Sequence, residues 1–393
     1  MTELGPTVVQ SAITYGPMQV DWEPRVDFER LRRERLAKTR AAMEAAGVEH
    51  LLLLRLENAR YATGVKRLHW PTLHVGGGPV VWLESQGDPT IWIIDPEFAH
   101  RSLPVIPQQC FRSPHAIDLP EDAERFATEL RDSVAGALDG SRIAADLWPP
   151  ALLDAMHKTF PRTELVDGQQ VMLSARSIKT RDEIACMMMA YSMSEASMQA
   201  AANALTPGIR ECELVGIALK RMADFGSETA QCSVVVNSGP GSYPYRRFHT
   251  DRIIQHGEFV NMDFGACFNG YFGDFCRPYV CGGRSSPEQR DIFNRALDMQ
   301  LDALNMLGPG KTPAEICQRL GRRTIGHGLG ISAFEPPHLR AVDTFELRPG
   351  MTFSVISTPV GKEGVGGVHI EDEVVITETG ILLYSTYPRT LGA

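Results

Sequence analysis

Two aspartates, Asp263 and Asp274, flank an Asn269-Gly270 pair in the second half of the sequence. Asn-Gly is the strongest short-range signal for a two-residue hairpin turn. Counting outward from this turn pairs Asp263 with Cys276 and makes the two aspartates diagonal neighbours on one face, with Cβ atoms roughly 6–8 Å apart. Carboxylates at that spacing repel each other unless a cation or a proton lies between them. The pattern therefore predicts a cation site; the alternative is a hairpin whose acids face water.

Two downstream segments offer further ligands. His327 lies among three glycines at 326–330, where the backbone can approach a ligand closely and a ring nitrogen is accessible. The segment 367–377 alternates like a strand, with His369, Glu371 and Glu373 on one face. The simpler readings are a surface-loop histidine and a water-exposed strand edge. With the aspartate pair, His327 and Glu371 form an oxygen-rich set that suits manganese, iron, cobalt or zinc. A metal held this way performs hydrolytic chemistry at neutral pH.

Composition limits the class of protein. The chain has 393 residues, 43% of them hydrophobic and 22% charged, which favours an ordinary globular protein of two domains. A net charge of -9 without any basic run argues against nucleic acid as the main partner. No secretory signal or membrane-spanning apolar run is visible, and the eight cysteines form no CxxC pair. These features predict a cytoplasmic protein with no membrane partner.

The elements that must position these residues change in character along the chain. The first half predicts helices at 27–46 and 118–138 and strands at 51–54, 78–83, 90–94 and 143–146. This alternation is typical of a small α/β domain. A polar stretch at 174–181 marks the boundary, which gives domains at 1–175 and 176–393. The second domain opens with a long helix at 181–205, has further helices capped by Ser286 and Thr312, and ends rich in strands, an α+β arrangement.

Four ordered motifs of the second domain resemble one known family. They are Asp263-Phe264-Gly265, Gly270 to Asp274 with Arg277 downstream, the glycine-rich segment around His327, and Ile370-Glu371-Asp372. Their order and spacing resemble the pita-bread metallopeptidase superfamily. That superfamily includes methionine aminopeptidase, prolidase, aminopeptidase P, creatinase, ectoine hydrolase and a branch that cleaves dimethylsulfoniopropionate. The resemblance covers residues 176–385.

The resemblance implies a fold, a metal site and an assembly. The fold is α+β, with a C-terminal pita-bread domain of antiparallel sheet covered by helices, preceded by a smaller creatinase-type α/β domain. One or two divalent metal ions are implied, with Asp263, Asp274, His327 and Glu371 as ligands. Relatives of this kind are usually homodimers whose sites are shaped partly by the partner chain.

Departures from the family pattern bear on the chemistry. An ungapped alignment puts Ile356 where the family has a fourth carboxylate ligand, which favours one metal ion over two. Tyr245 and Phe334 stand where the peptidases carry histidines. The predicted catalytic residues are His327, Tyr245, Glu335 and His369, and the predicted substrate-binding residues are Arg277, Phe334 and His338.

These departures favour a metal-dependent hydrolase that cleaves a C–N bond of a small molecule, as creatinase and ectoine hydrolase do. One alternative is a lyase of the dimethylsulfoniopropionate type, in which Tyr245 and Phe334 pack against a cationic substrate. Another is an Xaa-Pro dipeptidase or aminopeptidase. The last is a non-catalytic binding protein on the same scaffold.

Overall fold

The computed structural model describes residues 5, 7–10, 26–66, 78–133, 138, 140–228 and 233–391. The chain divides into two compact units. The first is Phe28–Arg176, and the second is Ser177–Ala393 together with the described residues before Phe28, among them strand β1 (Val8–Gln10). In the described part of the chain, no helix has the length and apolar character needed to cross a bilayer.

The first unit is built on a six-stranded mixed sheet. Its strands are β2 (His50–Leu53), β3 (Val80–Glu84), β4 (Thr90–Trp92), β5 (Phe111–Arg112), β6 (Arg142–Ala145) and β7 (Glu164–Asp167), in the order β5-β4-β3-β2-β6-β7. Its helices are α1 (Phe28–Ala45), α2 (Leu56–Thr63), α3 (Pro96–Ser102), α4 (Pro120–Ser133), α5 (Pro150–Thr159) and α6 (Gln169–Ser177). Apolar side chains of α4 and α5 pack on the sheet in one buried cluster. The predicted alternation of strands and helices is confirmed for this unit.

The second unit is built on a nine-stranded sheet with four helices among its described residues. The strands of the sheet besides β1 are β8 (Ser233–Ser238), β9 (Phe259–Gly265), β12 (Phe275–Val280), β13 (Thr324–Gly328), β14 (Glu335–Arg340), β15 (Thr352–Ile356), β18 (Glu371–Ile376) and β19 (Ile381–Leu383). Two small ribbons pair β10 (Cys267–Phe268) with β11 (Tyr271–Phe272) and β16 (Val360–Lys362) with β17 (Gly366–Val368). The helices are α7 (Arg181–Ala204), α8 (Glu211–Asp224), α9 (Pro287–Met306) and α10 (Pro313–Leu320).

The path β14-β13-β15-β18-β12-β9-β8 is antiparallel at every step, as predicted for this half of the chain. The exception is β1, which pairs in parallel with β19 at the edge and joins Val8 to Ile381. The sequence placed this segment in the N-terminal domain, whereas its backbone hydrogen bonds are with the second unit. This pairing connects residues more than 370 positions apart in the sequence, and no local sequence pattern predicts such a contact.

The predicted hairpin is confirmed. Asn269 and Gly270 have φ values of 49° and 85°, the left-handed pair that a two-residue turn requires. Phe268 pairs with Tyr271, and Cys276 pairs with Asp263, which is the register counted from the turn. Asp263 is buried, with 8% of its surface exposed. The alternative of a water-facing hairpin is therefore excluded.

Beneath the hairpin, Arg277 on β12 lies in a buried charge network. Its guanidinium pairs with Asp372 at 2.6 Å and donates to the Glu371 carbonyl oxygen at 2.8 Å. Arg389 pairs with the other Asp372 oxygen at 2.7 Å. Burial opposes ionisation of Asp372, but the two guanidinium groups outweigh it and hold the pKa of this carboxyl below its usual value. Arg277 therefore fixes the backbone at the start of β18.

Replacing this arginine, as in Arg277→Met, is expected to lower the free energy of unfolding by about 3–5 kcal/mol, because it leaves the buried Asp372 short of a partner. Urea denaturation of the two proteins measures the difference. Arg295→Met is the control, because its ion pair with Asp291 is exposed and is expected to contribute about 0.5 kcal/mol. Equal losses in the two variants would contradict the assigned role of the buried network.

Candidate metal centre

Three of the four predicted metal ligands converge in the second unit. Asp274 directly precedes β12, His327 lies in β13, and Glu371 begins β18. Each offers one ligand atom, and these atoms lie within 4.8 Å of one another, the one such group found among the described residues. His327 Nε2 is 3.6 Å from Asp274 Oδ2 and 3.3 Å from Glu371 Oε1.

The orientation of His327 explains what this group can hold. Its Nδ1 lies 3.1 Å from the Gly328 carbonyl oxygen, which only accepts hydrogen bonds, so Nδ1 carries a proton. In the tautomer with that proton alone, Nε2 presents a lone pair to the two carboxylates. Lone pairs facing one another at these distances are unfavourable unless a cation or a proton lies between them. The donor set fits a divalent cation of the manganese, iron, cobalt or zinc type, and the Gly328 contact orients the ring for it.

Asp263, the fourth predicted ligand, lines the same pocket but lies outside the converging group. Its Oδ2 accepts a hydrogen bond of 2.9 Å from the Tyr245 hydroxyl. Burial and the Glu371 charge raise the pKa of Asp263 to about 6. Burial, Glu371 and Asp263 raise the pKa of Asp274 well above its usual value. Crowded carboxyls of this kind attract a cation, and the sequence missed that Tyr245 already engages one of them.

Ile356, which departs from the family pattern, is the cross-strand neighbour of Glu371. Ile356 pairs directly with Glu371 in the β15–β18 register, and it lines the pocket. Two residues earlier on the same face, the Ser354 hydroxyl donates a hydrogen bond to Glu371 Oε1. Sequence reasoning missed Ser354, although its position two before Ile356 on one strand was the available signal. Ser354 therefore orients the predicted ligand Glu371, whereas the side chain of Ile356 has no atom that could bind a metal.

Removing this hydroxyl, as in Ser354→Ala, is expected to weaken metal binding about tenfold, because groups that orient ligands contribute 10–100-fold to affinity. Titration calorimetry with Mn²⁺ measures the dissociation constant. Thr324→Val is the control: it removes another hydroxyl from the pocket wall, one that contacts backbone carbonyls of Gly326 and Leu339 and no predicted ligand. Equal weakening in both variants would argue against an orienting role for Ser354.

The pocket around the group has a volume of about 710 Å³. Phe334 lines this pocket, and 66% of its surface is exposed. Its ring centroid lies 4.4 Å from that of His327 and 4.8 Å from that of His338. Burial, Arg340 and His327 lower the pKa of His338, so its ring is neutral at pH 7. Phe334 and His338, which the sequence predicted to bind substrate, therefore both line the pocket.

His369, predicted as a catalytic residue, also lines the pocket. Its Nε2 lies 3.3 Å from Glu371 Oε2, and its ring packs against Tyr245 with centroids 5.0 Å apart. The backbone N–H of His369 donates to Asn261 Oδ1 at 3.1 Å. His369 lies between β17 and β18, and its side chain lines the same pocket as Glu371, as the sequence predicted.

Two predicted site residues lie elsewhere. Arg277 follows Cys276 on β12, so alternation turns its side chain to the other face of the sheet, where it pairs with Asp372. Glu335 is 2% exposed and pairs with Lys179 at 3.1 Å. Neither residue lines the pocket, and their predicted roles in substrate binding and catalysis are corrected to structural ion pairs.

The aromatic wall predicted for a cationic substrate is also different. The guanidinium of Arg247 lies over the Tyr245 ring, 5.6 Å from its centroid, and Arg247 lines the pocket. A second arginine, Arg340, lines it as well. The Arg247 guanidinium therefore occupies the face of Tyr245 that was predicted to contact a cationic substrate. Sequence reasoning missed both arginines, because neither belongs to a motif.

Two family models match the chain. The model for metallopeptidase family M24 matches residues 185–378, and that for the creatinase/prolidase N-terminal domain matches residues 35–178. Together they cover both compact units and agree with the fold expected from the motifs.

Relatives and solved structures agree with this assignment. The chain is 31% identical over 222 residues to an Xaa-Pro dipeptidase of Pyrococcus furiosus, covering 53% of this chain and 63% of that protein. It is 29% identical over 241 residues to an uncharacterized peptidase, YqhT, of Bacillus subtilis, covering 58% and 67% respectively. The prolidase structure from Pyrococcus horikoshii OT3 superposes with a TM-score of 0.76 at 22% identity, covering 91% of this chain and 99% of that one.

At that level of identity the structural likeness establishes the fold, an α+β pita-bread domain preceded by a creatinase-type domain. The resemblance predicted from the four motifs is confirmed. The chain belongs to the pita-bread metallopeptidase superfamily of metal-dependent hydrolases.

Proposed function

We propose that this chain is a one-metal hydrolase that cleaves a C–N bond in a small molecule. The observation that carries the proposal is Ile356, an aliphatic residue that lines the pocket directly opposite Glu371. An aliphatic side chain cannot bind a metal, which leaves Asp274, His327 and Glu371 as the converging set. A site with a single cation and no carboxylate at position 356 differs from the two-metal clamp expected of peptide-cleaving relatives.

The residues around the cation have separable roles in this proposal. A divalent cation supplies Lewis acidity that polarises a carbonyl and makes water a better nucleophile at neutral pH. Ser354 orients Glu371, and the Gly328 carbonyl fixes the ring of His327. The neutral ring of His338 can accept a proton at the pocket wall. His369 contacts Glu371 and is the second candidate for proton transfer.

An Xaa-Pro dipeptidase is the second candidate function. The names of two relatives favour it, since the proteins from Pyrococcus furiosus and Pyrococcus horikoshii are both Xaa-Pro dipeptidases. Tyr245 and Phe334 weigh against it, because they replace the histidines expected in peptidases and because Tyr245 is engaged with Asp263. The lyase alternative is weakened because the Arg247 guanidinium lies over the Tyr245 ring, where that alternative places the cationic group of the substrate.

A substrate panel tests the proposal. Protein loaded with Mn²⁺ or Co²⁺ is assayed against Xaa-Pro dipeptides, against dimethylsulfoniopropionate, and against small amides, ureas and guanidino acids. Turnover confined to the last group is the expected result. Faster cleavage of dipeptides would establish the peptidase instead, and release of acrylate would establish the lyase. Ligand binding without turnover of any compound would leave the binding-protein alternative.

The resemblance further predicts a homodimer and the cysteine pattern a cytoplasmic location, and we retain both as part of the proposal. Light scattering coupled to gel filtration measures the mass of the particle. A mass near twice the 43.4 kDa of the chain is expected. A mass near that of one chain would contradict the predicted dimer.

A further inference from the structure

The loop that carries Tyr245 is anchored by a single buried carboxylate. Glu211, at the start of α8, is fully buried and pairs with the Arg246 guanidinium. The same Glu211 oxygen accepts hydrogen bonds of 2.8 Å from the backbone N–H and from the hydroxyl of Thr250. Asn237 Nδ2 donates to the Arg246 carbonyl oxygen at 2.8 Å. The backbone between 246 and 250 is therefore held at both ends.

These contacts of Glu211 and Asn237 determine the direction of the Arg247 side chain. Arg246 is engaged with Glu211, and the adjacent Arg247 is presented to the pocket instead. The Arg247 guanidinium lies 5.6 Å from the centroid of the Tyr245 ring. Its charge also acts favourably on the ionised carboxylates of Asp263 and Asp274. Arg247 therefore lies beside the candidate metal centre without belonging to it.

Arg247 differs from the other arginine of this pocket. Arg340 is held by Asp343 through two contacts, of 2.8 and 2.9 Å, so its charge is already paired. Arg247 has no hydrogen bond or ion pair to any residue in the part of the chain that the structure describes, and its side chain is exposed. Within that part of the chain, it is the arginine at this pocket whose donors remain available to a ligand.

We propose that Arg247 binds a carboxylate of the substrate, which makes the substrate an anionic small molecule. A guanidinium matches a carboxylate with two parallel N–H donors, and such charge-assisted pairs are both strong and geometrically selective. A cationic ligand is repelled at this position, and an uncharged ligand leaves the guanidinium without an acceptor. The inference rests on the proposed hydrolase for the chemistry at the metal, but the binding step does not require turnover.

The test compares ligands that differ only in charge. Full-length protein loaded with Mn²⁺ is titrated in a calorimeter with N-acetylglycine and N-acetyl-β-alanine, and with the corresponding amides. In the wild type, at least one acid is expected to bind about tenfold or more tightly than its amide, as one charge-assisted pair allows. In Arg247→Gln this advantage is expected to fall to about twofold, and in Arg247→Lys to an intermediate value.

The matched control is Arg340→Gln, which removes a guanidinium from the same pocket that Asp343 already engages. It is expected to keep the preference for acids. The inference would be overturned by any of three results. The preference for acids could be unchanged in Arg247→Gln, it could be lost equally in Arg340→Gln, or the wild type could show no such preference. Equal Mn²⁺ content and equal melting temperature across the variants show that each is folded and loaded.

The two proposals fail in different ways. An Arg247-dependent preference for acids, with no turnover of any compound in the substrate panel, supports the carboxylate site and counts against the hydrolase. Hydrolysis of amides as readily as acids, unaffected by Arg247→Gln, supports the hydrolase and counts against the carboxylate site.

Discussion

Replacing one converging ligand, as in Asp274→Ala, is expected to abolish stoichiometric metal binding and to lower kcat/KM by about 10³-fold or more. Asp274 supplies one of three atoms that lie within 4.8 Å of one another, so its loss leaves two ligands. A metal ion contributes several kcal/mol to transition-state stabilisation, and about 4 kcal/mol corresponds to that factor. Elemental analysis gives metal per chain, and the most active compound of the panel gives the rate.

Two further variants sharpen this result. Asp291→Ala removes an exposed carboxylate and is expected to retain both metal and activity. Asp263→Ala is expected to reduce metal binding and activity less than Asp274→Ala does. Asp263 lies outside the converging group, and its carboxylate accepts a hydrogen bond from Tyr245. If Asp263→Ala alone removed the metal, the assignment of the three ligands would be wrong. Equal losses in both pocket variants would restore Asp263 as a full ligand.

Introducing a carboxylate on β15, as in Ile356→Glu, is expected to raise bound metal from about one to about two equivalents per chain. The new side chain would stand directly opposite Glu371 and face the pocket, near Asp263 and Asp274. Ile356 is only half-buried, so a polar side chain there does not open the core. Two metal ions bridged by carboxylates form the symmetric clamp of many hydrolases. Elemental analysis at saturating Mn²⁺ measures the stoichiometry.

The matched control for this gain is Ile356→Gln, which has the length and polarity of glutamate without its charge. It is expected to remain at one equivalent. If Ile356→Glu also stayed at one equivalent, Asp263 and Asp274 could not share a second ion in this pocket. The absence of a second metal ion would then have a cause besides the aliphatic residue at 356.

The elements that carry the site could be predicted because their signals are local. The left-handed conformations of Asn269 and Gly270 set the hairpin register, and the register follows residue by residue from the turn. The alternation at 367–377 predicted that His369 and Glu371 share a face, and both line the pocket, although β18 begins only at Glu371. The capping box at Ser286 likewise began helix α9 where predicted, and α7 begins at the predicted residue 181.

The failures share a different cause. Arg277 was assigned to substrate because it belongs to a motif, but its neighbours along β12 point the other way and its charge is needed by the buried Asp372. Glu335 was assigned to catalysis beside Phe334, yet its partner Lys179 comes from the segment before α7. Membership of a motif gives a residue's position along the chain, whereas its partners depend on which segments fold against it.

The sequence by itself determined the hairpin and the strand faces, since these follow from short-range periodicity. Its four ordered motifs also carried the resemblance that gave the superfamily and drew attention to the aliphatic residue at 356. Only the tertiary structure decided that Asp274, His327 and Glu371 converge while Asp263 is held by Tyr245. It also decided that Arg247 reaches the pocket while Arg246 is held by Glu211. These outcomes depend on hydrogen bonds and ion pairs between segments far apart in the chain, and such contacts exist only after the sheet and its helices have packed.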